Sequence, residues 1–373
     1  MRRIENKSIC VGLDNFIDKI GYQSDVYIKN GEKIRYLVID TSGTTRFFSN
    51  KYKADVVILG KTEIVRFFQT IKEIILYKPN TIEIYISDLP RFWDNILAPL
   101  CKLLRIRLIL FLRGTEFISS YRIHRLKVLY PYLDLIISKE MHLTTKAIQM
   151  GFLSKLEYLH NGIPIKKHQI LDYSERRIDI LFLNSPRKER NVLFLIEVIY
   201  KLLKKTKIKL NIVMAGFSVL DNNNYKVEPT YQKEVLNRIK ELGLENDITI
   251  LGFVDNAEEL LKHSKIFIFP ANIVFCNYAL LEAMSFGCVP IVANGEGAYW
   301  IINNLNGFVS KLEVDSFINS ISTALNIKIW RKKSEQAILT VEKYYSIDDW
   351  YTRIKQIKGK KLSSNSSLPS STT

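Results

Sequence analysis

The chain has 373 residues, 47% hydrophobic and 25% charged, with a formal net charge of +16. That length suits two domains, and that composition supplies sizeable apolar cores, which excludes wholesale disorder. The charge is uneven, +11 in residues 1–170 and +5 in residues 171–373, and such a balance favours phosphorylated or anionic partners without naming one.

Short apolar runs rich in β-formers alternate with longer helical patterns, the signature of parallel sheets covered by helices. In the first half the predicted strands are Ser8–Gly12, Ile34–Asp40, Asp55–Leu59, Thr81–Ile86, Arg107–Leu112 and Leu133–Ile137. Between them, Ile64–Tyr77 carries apolar residues at helical spacing with Arg66, Lys72 and Glu73 interleaved. Such a helix usually packs on its sheet. Together with Lys102–Arg107 it would also suit docking on an anionic bilayer. A polar, basic stretch over 164–177 then separates two apolar patterns. The second series has predicted strands Ile178–Leu183, Lys209–Ala215, Ile248–Leu251, Ile266–Phe269 and Val289–Ala293. Its predicted helices are Asn191–Leu203, Tyr231–Leu242, Asn256–His263, Tyr278–Phe286 and Val314–Leu325. The tail from Gly359 is Lys, Ser and Thr without periodicity, and is expected to be disordered.

The cysteines, Cys10, Cys101, Cys276 and Cys288, are scattered, with no C-x-x-C pair and no His at ligand spacing. Neither a zinc site nor a disulfide framework is expected, which fits a reducing compartment. The N-terminus lacks the apolar region of a signal peptide. The longest apolar stretch, Ile266–Leu281, is short and interrupted by Pro270, Asn272 and Asn277, so it does not read as a membrane span. The expectation is a cytoplasmic protein.

The most informative window is 266–309, IFIFPANIVFCNYALLEAMSFGCVPIVANGEGAYWIINNLNGFV. A buried strand ends at Pro270, and a helix begins near Asn277 with Ala279, Leu280, Ala283 and Met284 on its apolar face. Gly287 suits the left-handed residue after a helix, and a second strand leads into Gly295-Glu296-Gly297. Helix N-termini at the carboxyl ends of parallel strands favour phosphates through free N–H groups and the helix dipole. Glu282 sits inside the otherwise apolar LLEAM, either on the solvent face or turned into a site.

This window resembles the donor site of the retaining GT-B glycosyltransferases of family 4, with LLEAMSFGCVPIVANGEG as the closest match. Met214-Ala215-Gly216, the segment 241–254 that ends in Phe253, the stretches 134–151 and 158–164, and Tyr344–Ile357 follow in the family's order. The resemblance implies an α/β protein with the GT-B fold, two Rossmann-like domains whose parallel sheets face across a cleft. Residues 1–165 would bind acceptor, 166–177 would link, 178–340 would bind donor, and 341–358 would return to the first domain. It further implies a donor ribose held by Glu282 and a diphosphate held by Arg187, Lys188 and Arg190. Donor contacts would come from Gly216, Phe253, Asn277, Tyr278, Ala279, Leu280, Gly295 and Gly297. Gly12, Arg113 and Glu116 would stand on the acceptor side. The family's first acidic residue falls on Val274, its diphosphate Arg on Ser185, its Lys on Arg190, and its first-domain His on the Arg113–Glu116 stretch.

The expected partners are a nucleotide-diphosphate sugar as co-substrate and a glycan or lipid-linked acceptor, with peripheral contact to an anionic membrane. No cofactor, metal or nucleic acid is expected. Other readings of single residues stay open. Asn277 suits an N-cap, Arg113 and Glu116 suit a salt bridge, and Arg187–Arg190 suits a solvated loop. The departures at Val274 and Ser185 also leave open a non-catalytic protein that binds a sugar nucleotide or partners an active transferase. A dehydrogenase is not expected, because no G-x-G-x-x-G follows a first strand.

Overall fold

The computed structural model describes residues 7–13, 20–39, 44–85, 91–113, 119–166, 169–217, 228–254, 256–274 and 277–359. The chain divides into two compact units. One runs to Pro164 and resumes at Ile347; the other is Ile165–Ser346.

The first unit alternates strand and helix: β1 (Lys7–Val11), α1 (Gly21–Lys29), β2 (Lys33–Val38), α2 (Thr44–Tyr52), β3 (Asp55–Ile58), α3 (Glu63–Tyr77) and β4 (Thr81–Ile84). A π-helical turn, Trp93–Leu97, leads into α4 (Ala98–Leu103). Then come β5 (Arg107–Leu112), α5 (Ser120–Leu129), β6 (Leu135–Ser138), α6 (Met141–Gln149) and β7 (Leu156–Tyr158). The strands form a seven-stranded sheet in the order β3-β2-β1-β4-β5-β6-β7, every pair parallel. Central strands such as β5 (RLILFL) are apolar on both faces because helices cover both sides. α3 starts where Thr62 Oγ1 accepts the Val65 N–H, with Glu63 in the first turn, and it stops at Lys78, whose φ of 53° is left-handed.

The second unit contains β8 (Ile178–Leu183), α7 (Val192–Thr206), β9 (Ile212–Ala215), α8 (Pro229–Glu241), β10 (Ile248–Leu251), α9 (Glu258–Lys262) and β11 (Ser264–Phe269). It continues with α10 (Tyr278–Ser285), β12 (Val289–Ala293), α11 (Ala298–Ile301), β13 (Phe308–Ser310), α12 (Val314–Ala324) and α13 (Ile327–Tyr344). Its sheet is parallel, in the order β10-β9-β8-β11-β12-β13. One buried cation ties the base of this unit together. The Arg176 guanidinium donates to Leu171 O at 3.1 Å, Ser264 O at 2.5 Å and Phe286 O at 2.6 Å, and lies 4.9 Å over the Trp330 ring.

The last helix, α14 (Ile347–Gly359), belongs to the first unit. Ile347, Trp350, Tyr351, Ile354 and Ile357 recur at helical spacing, and all five are buried against α1 and the sheet. Trp350 meets the Tyr27 ring edge-on at 5.6 Å, and Tyr351 OH donates to Glu32 at 2.8 Å. Lys358 Nζ donates to Tyr27 OH at 2.9 Å and pairs with the buried Glu83 carboxylate. No described helix is long and apolar enough to cross a membrane.

Candidate functional site

In the second sheet β9 lies on one side of β8 and β11 on the other, so the strand order reverses between β8 and β11. Ligands in open parallel sheets bind beyond the strand carboxyl ends at such a point. The loops there are bound to one another by main chain and by two asparagines. Asn191 adopts a left-handed conformation at φ 52°, which Asn tolerates better than most residues. Its Nδ2 donates to Pro270 O at 2.9 Å and to Asn272 Oδ1 at 2.7 Å. Asn272 N–H donates to Glu189 O at 3.0 Å. Glu296 N–H in turn donates to Asn272 O, and Val274 N–H to Glu296 O, both at 2.8 Å. The loops after β8, β11 and β12 therefore form one floor.

The sequence-predicted phosphate cations stand on the first of these loops. Lys188–Arg190 is a single 3-10 turn before α7. Arg190 Nη1 donates to Ser185 O at 2.6 Å and to Ser185 Oγ at 2.9 Å. Ser185 thus orients the cation that follows it. Burial, and next the neighbouring Arg187, lower the Arg190 pKa to about 10, so it stays charged at neutral pH. Among the described residues no carboxylate lies within ion-pair distance of Arg190. Arg187 lies 3.8 Å from Glu189, and Lys188 is exposed with its N–H on Glu228 Oε2 at 3.1 Å. A desolvated cation with a second cation beside it is a place where an anion gains energy.

The remaining predicted donor residues lie on the same edge of the sheet. Gly216 follows β9 at φ 108°, where an added Cβ would sit 2.6 Å from Asn184 O; only glycine allows these loops to touch. Phe253 follows β10 and is exposed. Gly295 lies against the loop after β11, an added Cβ falling 2.6 Å from Ala271 O. Gly297 takes φ 83° before α11. At the start of α10, Asn277 Oδ1 accepts the Leu280 N–H at 3.3 Å, so this residue caps the helix. Leu280 is fully buried, whereas Tyr278, Ala279 and Glu282 are half-buried. Val274 is fully buried and apolar.

In the first sheet Gly12 (φ 80°) follows β1 and Arg113 follows β5, on the two strands that flank β4. Arg113 lies 6.0 Å over the Tyr85 ring, which stacks on Phe111 at 5.1 Å. Glu116 lies outside the described residues. Asn191, Asn272 and Glu228 shape the site and were missed from sequence. An Asn directly before the α7 pattern was the one available signal. Among the described residues no cluster of three or more His, Cys, Asp or Glu could hold a metal.

Residues 165–340 match the family model of the glycosyl transferases group 1. A capsular polysaccharide biosynthesis glycosyltransferase, CapH of Staphylococcus aureus, is 26% identical over 181 residues, 47% of this chain and 48% of that protein. A UDP-Gal:alpha-D-GlcNAc-diphosphoundecaprenol alpha-1,3-galactosyltransferase of Escherichia coli is 27% identical over 131 residues, 33% of this chain and 34% of that protein. The chain thus spans half or less of the curated relatives it matches. Anabaena HepE, solved with UDP and glucose, is similar in structure, with a TM-score of 0.78, 14% identity and coverage of 95% of this chain and 100% of that one. A glycosyltransferase from Rickettsia africae gives a TM-score of 0.75 at 14% identity, covering 95% and 98%. The chain carries the GT-B fold, and the unit that holds the cationic loop matches the glycosyl transferases group 1.

Proposed function

We propose that the chain transfers a sugar from a nucleotide-diphosphate donor to a hydroxyl of a glycan, lipid-linked or protein acceptor, as a retaining enzyme of family 4 type. It would act in the cytoplasm at an anionic membrane face. The observation that carries this reading is Arg190, a half-buried cation beside Arg187 with no acid on it among the described residues, at the reversal point of a sheet whose sequence matches the family. The similar HepE was solved with UDP and with UDP-glucose, which supports a nucleotide-sugar ligand for this chain.

Cleavage of the glycosidic bond leaves negative charge on the departing diphosphate. Arg190, with Arg187 and Lys188 near it, would stabilise that charge in a site already oriented for it. The acceptor hydroxyl then attacks the same face of an oxocarbenium-like centre and gives its proton to the departing diphosphate oxygen, which retains configuration. Glu282 would accept a hydrogen bond from the donor ribose. Glu282→Ala should therefore weaken donor binding by about 1.5–3 kcal/mol, the value of a charge-assisted hydrogen bond, with the fold intact. Titration calorimetry with a nucleotide sugar checks this, and unchanged affinity removes Glu282 from the site.

With cations to neutralise the diphosphate, transfer should persist in excess chelator. An activity that appears only with manganese or magnesium would contradict that expectation. A second reading rests on Val274, a buried apolar residue where the resembling family places an acid: a protein that binds sugar nucleotides without turnover. Product analysis by mass spectrometry over a panel of donors and acceptors separates the two, since any transfer rejects the second.

A further inference from the structure

α3 is more apolar than its packing requires. Thr70 and Ile74 face the core, with Phe67, Ile71 and Tyr77 partly buried beside them. Ile64 (71% exposed), Phe68 (64%), Ile75 (61%) and Leu76 (64%), together with Val65, stand in water. At 100° per residue these five fall in one continuous stripe next to the packed face, with Lys72 inside it. The surface continues onto the neighbouring helix. Phe67 meets the Phe92 ring at 5.4 Å, ahead of α4, and Arg107 N–H donates to Asn80 O at 2.9 Å, so the chain leaves both helices toward neighbouring strands of the sheet. Leu103 (80% exposed) and Leu104 add exposed apolar surface at the end of α4. Exposed Lys61, Lys78, Lys102 and Arg105 border it. Of the acids on or beside these elements, Glu73 is held by Arg35 at 2.7 Å and Asp134 by Lys102 at 3.0 Å, while Glu63 is exposed.

We infer that this face docks on an anionic lipid bilayer, with α3 lying in the interface. Acyl chains would take Ile64, Phe68, Ile75, Leu76 and Leu103, and lipid phosphates would take the amines at the border. A water-exposed helix stripe this apolar gains from leaving water, and its cationic rim matches anionic headgroups. The inference deepens the membrane contact proposed above. It is tested by binding rather than by transfer, so its failure leaves the sugar-transfer reading standing.

The experiment floats the full chain with vesicles of equal parts phosphatidylglycerol and phosphatidylcholine, or of phosphatidylcholine alone, at low and high salt. At least tenfold more protein should float with the anionic vesicles, and salt should reduce that amount. Phe68→Glu/Ile75→Glu should lower binding at least tenfold with an unchanged melting temperature, because both side chains point into solvent. Lys61→Glu/Lys78→Glu, one at each end of α3, should do the same without touching the apolar stripe, since each cation near the surface contributes about fivefold. Ile208→Glu, an exposed apolar position in the other unit, should bind as wild type. The inference falls if the chain does not float with anionic vesicles, or if both double variants float as wild type. It also falls if the chain forms a dimer in sedimentation that Phe68→Glu/Ile75→Glu disperses and that leaves vesicle binding absent.

Discussion

Arg190→Ala is expected to lower kcat of the proposed transfer by about 100-fold or more, with a much smaller rise in donor KM. Negative charge on the diphosphate grows as the bond to the sugar breaks, so a cation there favours the transition state over the ground state. Removing one preorganised donor of this kind typically costs 10²–10³-fold. Arg190 is preorganised in a definite sense. Ser185 holds one of its nitrogens through two contacts, Asn191 and Asn272 fix the loop behind it, and burial has already removed much of its water. Arg190→Lys would keep the charge but could not hold Ser185 and a phosphate in the same fork, so it should recover only part of the rate. Single-turnover and steady-state kinetics with one donor decide the matter. A silent Arg190→Ala beside a damaged Arg187→Ala or Lys188→Ala would move the phosphate site along the loop. Three silent variants in an active enzyme would remove it from the loop altogether.

The largest expected effect on stability is at Arg176. Arg176→Ala would strand three buried carbonyls, those of Leu171, Ser264 and Phe286, and leave a void beside Trp330. A buried acceptor left without its donor costs about 1–3 kcal/mol, so losing three at once should cost roughly 3–5 kcal/mol. For a unit of this size that corresponds to a fall in melting temperature on the order of 10 °C. Arg176→Lys should fall between, because one ammonium cannot reach acceptors spread across the whole guanidinium. Calorimetry of the full chain reads this directly, and a shift under about 2 °C would show that the three carbonyls find other partners. The same contacts join the start of β11 to the end of α10, two of the elements that bear the site. The less stable variant should therefore also bind a nucleotide sugar more weakly below its melting point.

Much of this architecture was legible in the sequence. Strands such as β12, and β5 after Arg107, are unbroken apolar runs, and their predicted bounds match those observed. The LLEAM helix and the glycine turn after β12 were visible as a pattern, and the structure places them on the same sheet edge as Arg190. What escaped has physical reasons. β7 and β13 have three residues each, too few for periodicity to register. α13 was missed because its packed face is a narrow stripe of Trp330, Ser334, Ala337 and Val341 in an otherwise charged helix. α3 was expected to pack on its sheet, and it does so with only part of its apolar surface. Nothing in a one-dimensional pattern distinguishes an apolar residue facing the core from one 100° further round. The clasp of Asn191 and Asn272 joins residues 81 apart in the chain, which no local spacing encodes.

The placement of α14 has a consequence for how the protein is made. The sheet that receives it is complete in sequence by Tyr158, yet the helix that covers part of one face begins at Ile347. The whole second unit is synthesised in between. At about 5–20 residues per second, the apolar seat for Trp350 and Ile354 waits roughly 10–40 s for its cover. During that interval the second unit, contiguous in sequence, can fold to completion behind it. The order of maturation thus runs against the order of synthesis: the unit begun first is finished last, and a nascent chain offers a chaperone one defined apolar seat until its final helix arrives.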